Sequence, residues 1–201
     1  MELKQSETLK NLMRAFAGES QARNRYTFAA AAAKSAKLHV VECVFQFTAD
    51  QEKEHAEIFM NHMKELNGTT QEVQGTYPVE TTKNVLELLR FAQHNEYEEH
   101  QPVYPKFAEV AKQEGFPEIA NSFSEIAKIE KVHGDRFRKV ADLLEQGKLF
   151  VAEAQAQWMC LNCGHIHVGD RVPPLCPVCK HDQGYFIRLQ LAPWGCCELQ
   201  N

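Results

Sequence analysis

Apolar side chains recur every three or four residues over four long stretches of the chain, which is the spacing of an amphipathic helix. In the first stretch the repeat is set by Leu9, Leu12 and Phe16, and an alanine-rich run continues it. Proline suits the first turn of a helix and glycine its end, and both occur at the limits of the last stretch. The predicted helices cover residues 4–35, residues 38–66, a stretch that begins at Thr81 or Thr82, and residues 117–146.

The links between these helices are of unequal length. Only residues 35–37 separate the first pair, whereas Asn67 and Gly68 are expected to end the second helix and open a loop that reaches Glu80. The second predicted helix has about 29 residues and extends about 43 Å. Fourteen extended residues reach about 46 to 50 Å. The loop can therefore return along the whole second helix, which predicts a mainly α fold, a ferritin-like four-helix bundle with one long crossover.

Charged residues stand on the apolar stripes of all four helices. A Glu-x-x-His step occurs at Glu52 and His55 in the second helix and again at Glu130 and His133 in the fourth. Residues three apart share one helix face, so each step can address a single metal ion. An unpaired buried charge costs several kcal/mol or more, which makes two such interruptions hard to attribute to chance.

The other two helices each supply an acidic residue. Glu19 lies 33 residues before Glu52, and Glu96 lies 34 residues before Glu130, with Glu99 one turn further on. Helix bundles that hold two metal ions use one Glu from each of two helices and one Glu-x-x-His from each of the others. Carboxylates with imidazole favour iron or manganese. The predicted ligands of this metal pair are Glu19, Glu52, His55, Glu96, Glu99, Glu130 and His133.

Other residues near these positions have more ordinary explanations. Any single Glu could belong to a solvated helix face, although seven ligands together on four stripes argue against that reading. We expect His62 to be a satisfied core histidine, and His94 and His100 to lie beside the site or at the surface. Tyr26 and Tyr104 are expected to pack in the core, where either hydroxyl could reach a metal-bound oxygen.

The composition excludes several classes of protein. The chain has 201 residues, a net charge of −5 and a pI near 6.0, which provide no basic surface for nucleic acid. No apolar run approaches the roughly 18 residues of a membrane span, and the first residues lack the apolar core of a signal peptide. These features predict a cytoplasmic protein with no nucleic acid or membrane partner.

Six of the seven cysteines lie towards the end of the chain. Cys160, Cys163, Cys176 and Cys179 form two Cys-x-x-Cys pairs, whose four thiolates suit either zinc or a single iron. Short β-like runs around them predict a small β-rich domain over residues 154–201, after a bundle over residues 1–153. The remaining thiols are those of Cys43, Cys196 and Cys197, of which the last two are expected to be free in a frayed end.

The sequence is similar to the rubrerythrin family over nearly its whole length. The module from Cys160 to Cys179 resembles rubredoxin, which favours iron over zinc for the four thiolates. The four helices carry segments that resemble the family's helix signatures. These segments are AFAGESQARNRY at residues 15–26, TADQEKEH at 48–55, EYEE at 96–99 and IEKVH at 129–133.

This resemblance implies a non-haem peroxidase in which a pair of irons reduces hydrogen peroxide to two waters. It implies that Glu52 and Glu130 bridge the irons, that Glu19 and Glu96 are terminal ligands and that His133 binds one iron. It also implies that Glu99 and His55 alternate on the other iron as its redox state changes, with Tyr26 nearby. Electrons would come from a reduced rubredoxin or an NAD(P)H-dependent reductase through the Fe(Cys)4 centre, in a homodimer or larger homo-oligomer.

One segment departs from the family pattern. Residues 100–103 make the stretch after Glu99 longer than usual, which bears on the end of the third helix and on the place of Tyr104. Two other functions remain open at this stage. A ferritin-like iron oxidase or store would share the bundle, and a zinc-ribbon interaction module could sit on a purely structural bundle.

Overall fold

The helical hairpin at the start of the chain begins with a capped helix. In the computed structural model, which describes residues 2–192, the Ser6 hydroxyl oxygen accepts a hydrogen bond from the Leu9 amide at 3.0 Å. Helix α1 (Glu7–Ser35) follows, and after a tight turn α2 (His39–His62) packs back along it. The first predicted hairpin is confirmed.

The second hairpin is formed by α3 (Val85–Glu98), α4 (Tyr104–Gln113) and α5 (Pro117–Glu145). Helices α3 and α4 pack in succession along α5, so together they take the place of the third predicted helix. Between them lies a wide π-type turn (Glu99–Val103), with extended backbone at Gln101 and a cis peptide bond before Pro102. The break predicted after the acidic pair is therefore confirmed.

Two predicted helix ends are wrong. Helix α2 ends at His62 and a 3₁₀ turn (Lys64–Leu66) follows, so Asn67 and Gly68 do not close the α-helix. The third helix is not capped by Thr81 or Thr82. Its cap is Asn84, whose Oδ1 accepts hydrogen bonds from the amides of Leu86 and Glu87 at 3.0 and 3.3 Å. Several capping side chains compete in this stretch, and the first buried position, Val85, decides which one starts the helix.

The long crossover runs along α1 in the same direction as that helix. Arg14 Nε donates to the Gln74 carbonyl at 2.9 Å, and the Tyr77 hydroxyl donates to the Arg14 carbonyl at 3.1 Å. Further on, Asn95 Nδ2 donates to Glu80 Oε1 at 2.6 Å. These contacts carry the chain back along the bundle, as the length argument predicts.

Apolar residues form two clusters inside the bundle, and the predicted ligands stand between them along the helices. One cluster is centred on Phe45 and Phe137, which lie before Glu52 on α2 and after His133 on α5. The other cluster contains Phe59, which follows His55 on α2, and Phe123, which precedes Glu130 on α5. No helix within residues 2–192 is long and apolar enough to cross a membrane.

A small antiparallel sheet follows the bundle. Strands β1 (Val151–Cys160), β2 (Ile166–Arg171) and β3 (Phe186–Arg188) lie in the order β2-β1-β3. Trp158, fully buried in β1, pairs with His167 on one side and Arg188 on the other, and its Nε1 donates to the Gly169 carbonyl at 2.9 Å. The turn before β3 contacts the bundle, where the Tyr185 and His39 rings stack with centroids 3.9 Å apart.

Candidate metal centres

The two Glu-x-x-His steps face each other across the middle of the bundle. Glu52 and His55 come from α2, and Glu130 and His133 from α5. Both carboxylates are fully buried and the imidazoles are 5% and 1% exposed. The rings are nearly parallel, with centroids 5.6 Å apart. Each helix places its pair on the inner face because three residues complete most of one turn.

The candidate ligands form two groups that share two members. In the first group, Glu19 joins Glu52, His55 and Glu130, and all four offer ligand atoms within 4.8 Å of one another. In the second group, ligand atoms equally close together come from Glu52, Glu96, Glu130 and His133. Since Glu52 and Glu130 belong to both groups, their carboxylates are the ones that can contact two ions at once.

Many polar atoms in these two groups are buried without a hydrogen-bond partner in the described part of the chain, as expected for atoms that bind metal ions. His133 Nδ1 lies 2.9 Å from Glu52 Oε1 and 2.9 Å from Glu130 Oε2, yet neither contact has hydrogen-bond geometry. Buried polar atoms without a partner are rare in folded proteins, because each one costs a hydrogen bond lost from water. The orphaned atoms here, among described residues, are Glu19 Oε2, Glu52 Oε1, Glu96 Oε2, both Glu130 oxygens and both His133 ring nitrogens.

Two tyrosines hold the carboxylates that belong to only one group. The Tyr104 hydroxyl donates to Glu19 Oε1, and the Tyr26 hydroxyl donates to Glu96 Oε1. In both carboxylates the second oxygen, Oε2, is the orphaned one. Each tyrosine therefore fixes one oxygen and leaves the other for a metal ion. Both rings also pack in the core, as the sequence predicts, but the matched pairing follows from the fold.

The electrostatics of the cluster reflect its crowded negative charge. Burial raises the pKa of Glu19 well above the usual carboxylic value, and neighbouring carboxylates raise it further. Burial lowers the pKa of His55, but the negative charges of the nearby Glu130 and Glu52 carboxylates outweigh that effect and bring it to about 9. Burial also lowers the pKa of His133, and nearby carboxylates outweigh that effect and bring it to about 12. These protons offset buried negative charge, and metal cations that replace them would release protons on binding.

Glu99 lies beside the cluster and outside both groups of four. It begins the wide turn after α3, is half-buried, and its Oε1 lies 3.8 Å from the position that a Cβ on Gly18 would occupy. A surface pocket of about 400 Å³, the Tyr77 pocket, is lined by Gly18, Tyr77, Glu99 and Tyr104. Glu99 is thus the predicted ligand that lies where this pocket approaches the cluster.

The remaining histidines near the bundle ligands have other partners or exposed positions. His62 is half-buried with its Nε2 2.9 Å from the Ser122 hydroxyl, and His100 Nδ1 lies 2.7 Å from the Ala127 carbonyl oxygen. His94 is exposed. None of the three belongs to a described group of metal-ligating atoms.

Arg136 is a neighbour of the site that the sequence reasoning missed. Its Nη1 donates to Thr48 Oγ1 at 2.9 Å and to Gln51 Oε1 at 3.0 Å, just before Glu52 on α2. The sequence feature that could have predicted this neighbour is a basic residue three positions after His133, on the side of α5 that faces α2. Its guanidinium places a positive charge beside a cluster rich in carboxylates, which stabilises their ionised forms.

The four cysteines converge on a second centre. Cys160 Sγ and Cys179 Sγ are 3.7 Å apart, as are Cys163 Sγ and Cys176 Sγ. A disulfide would place sulfurs about 2.05 Å apart. Thiolates bound tetrahedrally at about 2.3 Å from a metal lie about 3.7 to 3.8 Å from one another. The separations therefore fit a tetrahedral metal site.

The two cysteine turns have matching backbone hydrogen bonds. The Gly164 amide donates to the Cys160 carbonyl at 2.8 Å, and the Lys180 amide donates to the Cys176 carbonyl at 3.0 Å. Amide groups also point at sulfur. A hydrogen bond from the His181 backbone lowers the pKa of Cys179 to about 6, which favours the thiolate that binds metal. Cys196 and Cys197 lie outside the described residues, and Cys43 is exposed on α2.

Family models match both parts of the chain. Residues 10–141 match the model described as rubrerythrin, and residues 158–187 match the one described as the rubredoxin-like domain of rubrerythrin. A rubrerythrin of Clostridium perfringens is 44% identical over 185 residues, which cover 92% of this chain and 95% of that protein. A rubrerythrin of Porphyromonas gingivalis is 43% identical over 184 residues, with coverage of 92% and 90%.

Solved structures resemble the fold. Nigerythrin in its fully reduced, all-ferrous state has a TM-score of 0.61 at 25% identity, covering 90% of this chain and 86% of that chain. A Desulfovibrio desulfuricans bacterioferritin has a TM-score of 0.62 at 21% identity, with coverage of 71% and 82%, and shows the fold alone. The four carboxylates and two histidines of the bundle and the four cysteine thiols of the sheet module are candidate ligand sets for iron. The chain therefore belongs to the rubrerythrin family, which binds iron.

Proposed function

We propose that this protein is a peroxidase that reduces hydrogen peroxide to two waters at the bundle centre, with electrons delivered through the four-cysteine centre. The observation that carries the proposal is the pair of ligand groups joined by Glu52 and Glu130, in a chain that also holds four converging thiols. A pair of ferrous irons, when bound there, would supply the two electrons that cleavage of the O–O bond requires. Two protons complete the balance, since H₂O₂ accepts two electrons and two protons to form two waters.

In this proposal Glu52 and Glu130 would each help to hold both metal ions, while every other ligand would help to hold one. Glu19 and Glu96 present the oxygens that Tyr104 and Tyr26 leave unpaired. His133 stays with the Glu96 ion. Because the tyrosines hold Glu19 and Glu96 in place before peroxide arrives, these two carboxylates need little reorganisation when charge changes at the site.

His55 and Glu99 are proposed to alternate at the ion held by Glu19. The geometry that supports this role is the place of His55 inside the first ligand group, with Nδ1 3.0 Å from Glu130 Oε1, while Glu99 stands outside it at the Tyr77 pocket. A carboxylate favours ferric iron and a neutral imidazole favours ferrous iron. Exchange of the two side chains would match the ligand to the redox state.

The proposed setting is a reducing cytoplasm, where four thiolates stay available for metal. The electron donor is a reduced rubredoxin or an NAD(P)H-dependent reductase. We also propose a homodimer or larger homo-oligomer in which the four-cysteine centre of one chain serves the bundle of another. A Cys179→Ser chain mixed with a His133→Ala chain should then regain turnover that neither has alone. No recovery after the subunits have exchanged would contradict electron transfer between chains.

The main test follows the colour of the four-cysteine iron after anaerobic reduction. Stopped-flow mixing with one equivalent of hydrogen peroxide should restore the ferric absorption fast, and dissolved oxygen should restore it slowly. A slower return with peroxide than with oxygen would contradict the peroxidase. Oxygen-driven loading of iron far beyond the two ions of the bundle would instead support the ferroxidase or iron-storage alternative.

The ligand exchange has its own test. We expect Glu99→Ala and His55→Ala to slow peroxide turnover by at least about tenfold, or 1.4 kcal/mol in the barrier, while the helices stay folded. Glu98→Ala and His94→Ala are matched controls, because both side chains are exposed on α3. Unchanged turnover in both test variants would rule out the exchange, and circular dichroism checks the fold.

A further inference from the structure

Arg25 is a largely buried cation close to the bundle centre. It lies on α1, one residue before Tyr26, and its side chain is 14% exposed. Its Nε and Nη1 are buried and have no hydrogen-bond partner in the part of the chain that the structure describes. Because a buried donor without an acceptor costs free energy, these two nitrogens remain available to a carboxylate that comes close to them.

Glu80, on the long crossover, is an incomplete partner of Arg25. Its Oε2 lies 3.6 Å from Arg25 Nε, which is close enough for an ion pair and too far for a hydrogen bond. Its Oε1 accepts a hydrogen bond from Asn95 Nδ2 at 2.6 Å. The Glu80 side chain is 9% exposed, so salt screens its attraction to Arg25 only weakly. Glu80 therefore attracts the guanidinium without occupying its free donors.

Glu99 lies at the level towards which the Arg25 side chain extends. Four residues separate Glu99 from Asn95, the residue that holds Glu80, so both side chains lie on one face of α3. On α1, Arg25 is seven residues, or about two turns, beyond Gly18, and helix side chains lean towards the N-terminus. Glu99 Oε1 lies 3.8 Å from the position that a Cβ on Gly18 would occupy. Arg25 and Glu99 therefore approach the same part of α1.

The charge of Arg25 acts on the Glu99 carboxylate. Burial raises the pKa of Glu99, and neighbouring carboxylates led by Glu96 raise it further, whereas the charge of Arg25 lowers it. The ligand cluster thus repels the Glu99 charge and Arg25 attracts it. In this structure Glu99 lies outside both ligand groups, where that attraction operates.

We propose that Arg25 is a positioning residue that holds the Glu99 carboxylate while Glu99 is away from the metal pair, and that Glu80 competes for the same guanidinium. The inference rests on the exchange of Glu99 and His55 proposed above. A group that binds one of two states shifts the population towards that state, so Arg25 favours the arrangement with His55 in place. Because imidazole favours ferrous iron, Arg25 would raise the reduction potential of the bundle irons, and Glu80 would lower it.

A redox titration of the iron-loaded protein, followed by EPR, measures this effect without turnover. We expect Arg25→Gln to lower the midpoint potential of the bundle irons by about 59 mV, which is a tenfold change in a one-electron equilibrium, and Arg25→Lys to restore most of it. Glu80→Gln should raise the potential, because its amide oxygen can still accept from Asn95 but no longer attracts Arg25. Arg23→Gln is the matched control and should match the parent, since Arg23 is exposed on α1.

The same variants in a Glu99→Ala background separate action through Glu99 from a general effect of charge. There Arg25→Gln should shift the potential much less than in the parent. Equal shifts in both backgrounds would mean that Arg25 acts only as a nearby charge, and this result would overturn the inference. A lower potential in Glu80→Gln would also overturn it, because the ion pair would then act only by fixing the crossover.

Glu99→Ala alone distinguishes a failure of this inference from a failure of the proposed exchange. If Glu99→Ala changes neither the potential nor peroxide turnover, the exchange is wrong and the inference falls with it. If Glu99→Ala changes the potential and Arg25→Gln does not, the exchange stands and Arg25 does not hold Glu99. Glu80→Gln keeps the test decisive should Arg25→Gln fail to fold or to bind iron.

Discussion

The Tyr104 hydroxyl donates a hydrogen bond to one oxygen of Glu19, and the other oxygen of that carboxylate has no hydrogen-bond partner among residues 2–192. Tyr26 and Glu96 repeat the arrangement on the other side of the site. In both pairs a phenol selects which oxygen remains for a metal ion. The site therefore has an approximate two-fold arrangement of tyrosines as well as of ligands.

Removal of either phenol should disturb the bundle centre. We expect Tyr26→Phe and Tyr104→Phe each to lower the free energy of unfolding by about 1 kcal/mol and to slow peroxide turnover, because a buried carboxylate loses its donor. Denaturant unfolding and stopped-flow kinetics measure the two effects. Tyr97→Phe is the control, since its hydroxyl donates to the half-buried Asp135 away from the ligands, and turnover should not change. Wild-type turnover in both test variants would contradict the role of the phenols.

The Tyr77 pocket should admit peroxide through the space that Gly18 leaves. A Cβ at this position would meet Glu99 Oε1 at 3.8 Å and the Tyr77 ring at 3.9 Å, which is ordinary contact. Gly18→Ala should therefore stay active and gain up to about 1 kcal/mol from helix propensity. Gly18→Leu should fill the gap and lower the second-order rate with peroxide while iron content stays the same. An unchanged rate in Gly18→Leu would exclude this route of entry.

Gly134 is required by close packing next to the ligand His133. A Cβ there would lie 2.6 Å from a carbon of the Tyr97 ring, closer than real contacts allow. We expect Gly134→Ala to destabilise the bundle by about 1 to 3 kcal/mol in spite of the better helix propensity of alanine. The same change in a Tyr97→Ala background should cost less, and a double-mutant cycle from denaturant unfolding measures the difference. Equal costs in both backgrounds would rule out the clash.

The two cysteine turns share a backbone conformation with positive φ at one position but have different residues there, which makes them a matched pair. Gly164 has a φ of 77° and Lys180 has a φ of 63°, a backbone region that residues other than glycine rarely adopt. We expect Lys180→Gly to stabilise the four-cysteine module by up to about 1 kcal/mol, and Gly164→Ala to destabilise it by a similar amount. The thermal loss of the Fe(Cys)4 absorption measures both. A lower midpoint in Lys180→Gly would show that the lysine side chain contributes more than its backbone strain costs.

Much of the fold follows from local spacing. The stripes around Glu52 and Glu130 predict helices, and the three-residue step to each histidine guarantees that Glu and His share a face. The Cys-x-x-Cys turns are equally local. The family resemblance and the bundle with its sheet module are confirmed by the matching family models and related structures. The domain boundary at residue 153 stays a prediction, and β1 begins at Val151.

The wrong expectations concern helix ends, where several signals of similar strength compete. Thr81, Thr82 and Asn84 are all good capping residues, and local sequence does not rank them. The burial of Val85 against the bundle selects Asn84. In the same way, α2 gives way to a 3₁₀ turn at Lys64 before the Asn67–Gly68 pair is reached. Tertiary packing decides between choices whose local energies are nearly equal.

The sequence by itself determined the helices, the candidate ligands and the four-cysteine module, because each depends on spacing within a single turn or helix. The family resemblance implies a shared role for Glu52 and Glu130, and the tertiary structure places both in the two ligand groups. Only the tertiary structure decided that Glu99 stands outside these groups and that Tyr104 and Tyr26 hold opposite carboxylates. The two tyrosine contacts join residues that are 70 and 85 positions apart in the sequence. They depend on how helix faces rotate and shift against each other, and the packing of the whole core sets that geometry.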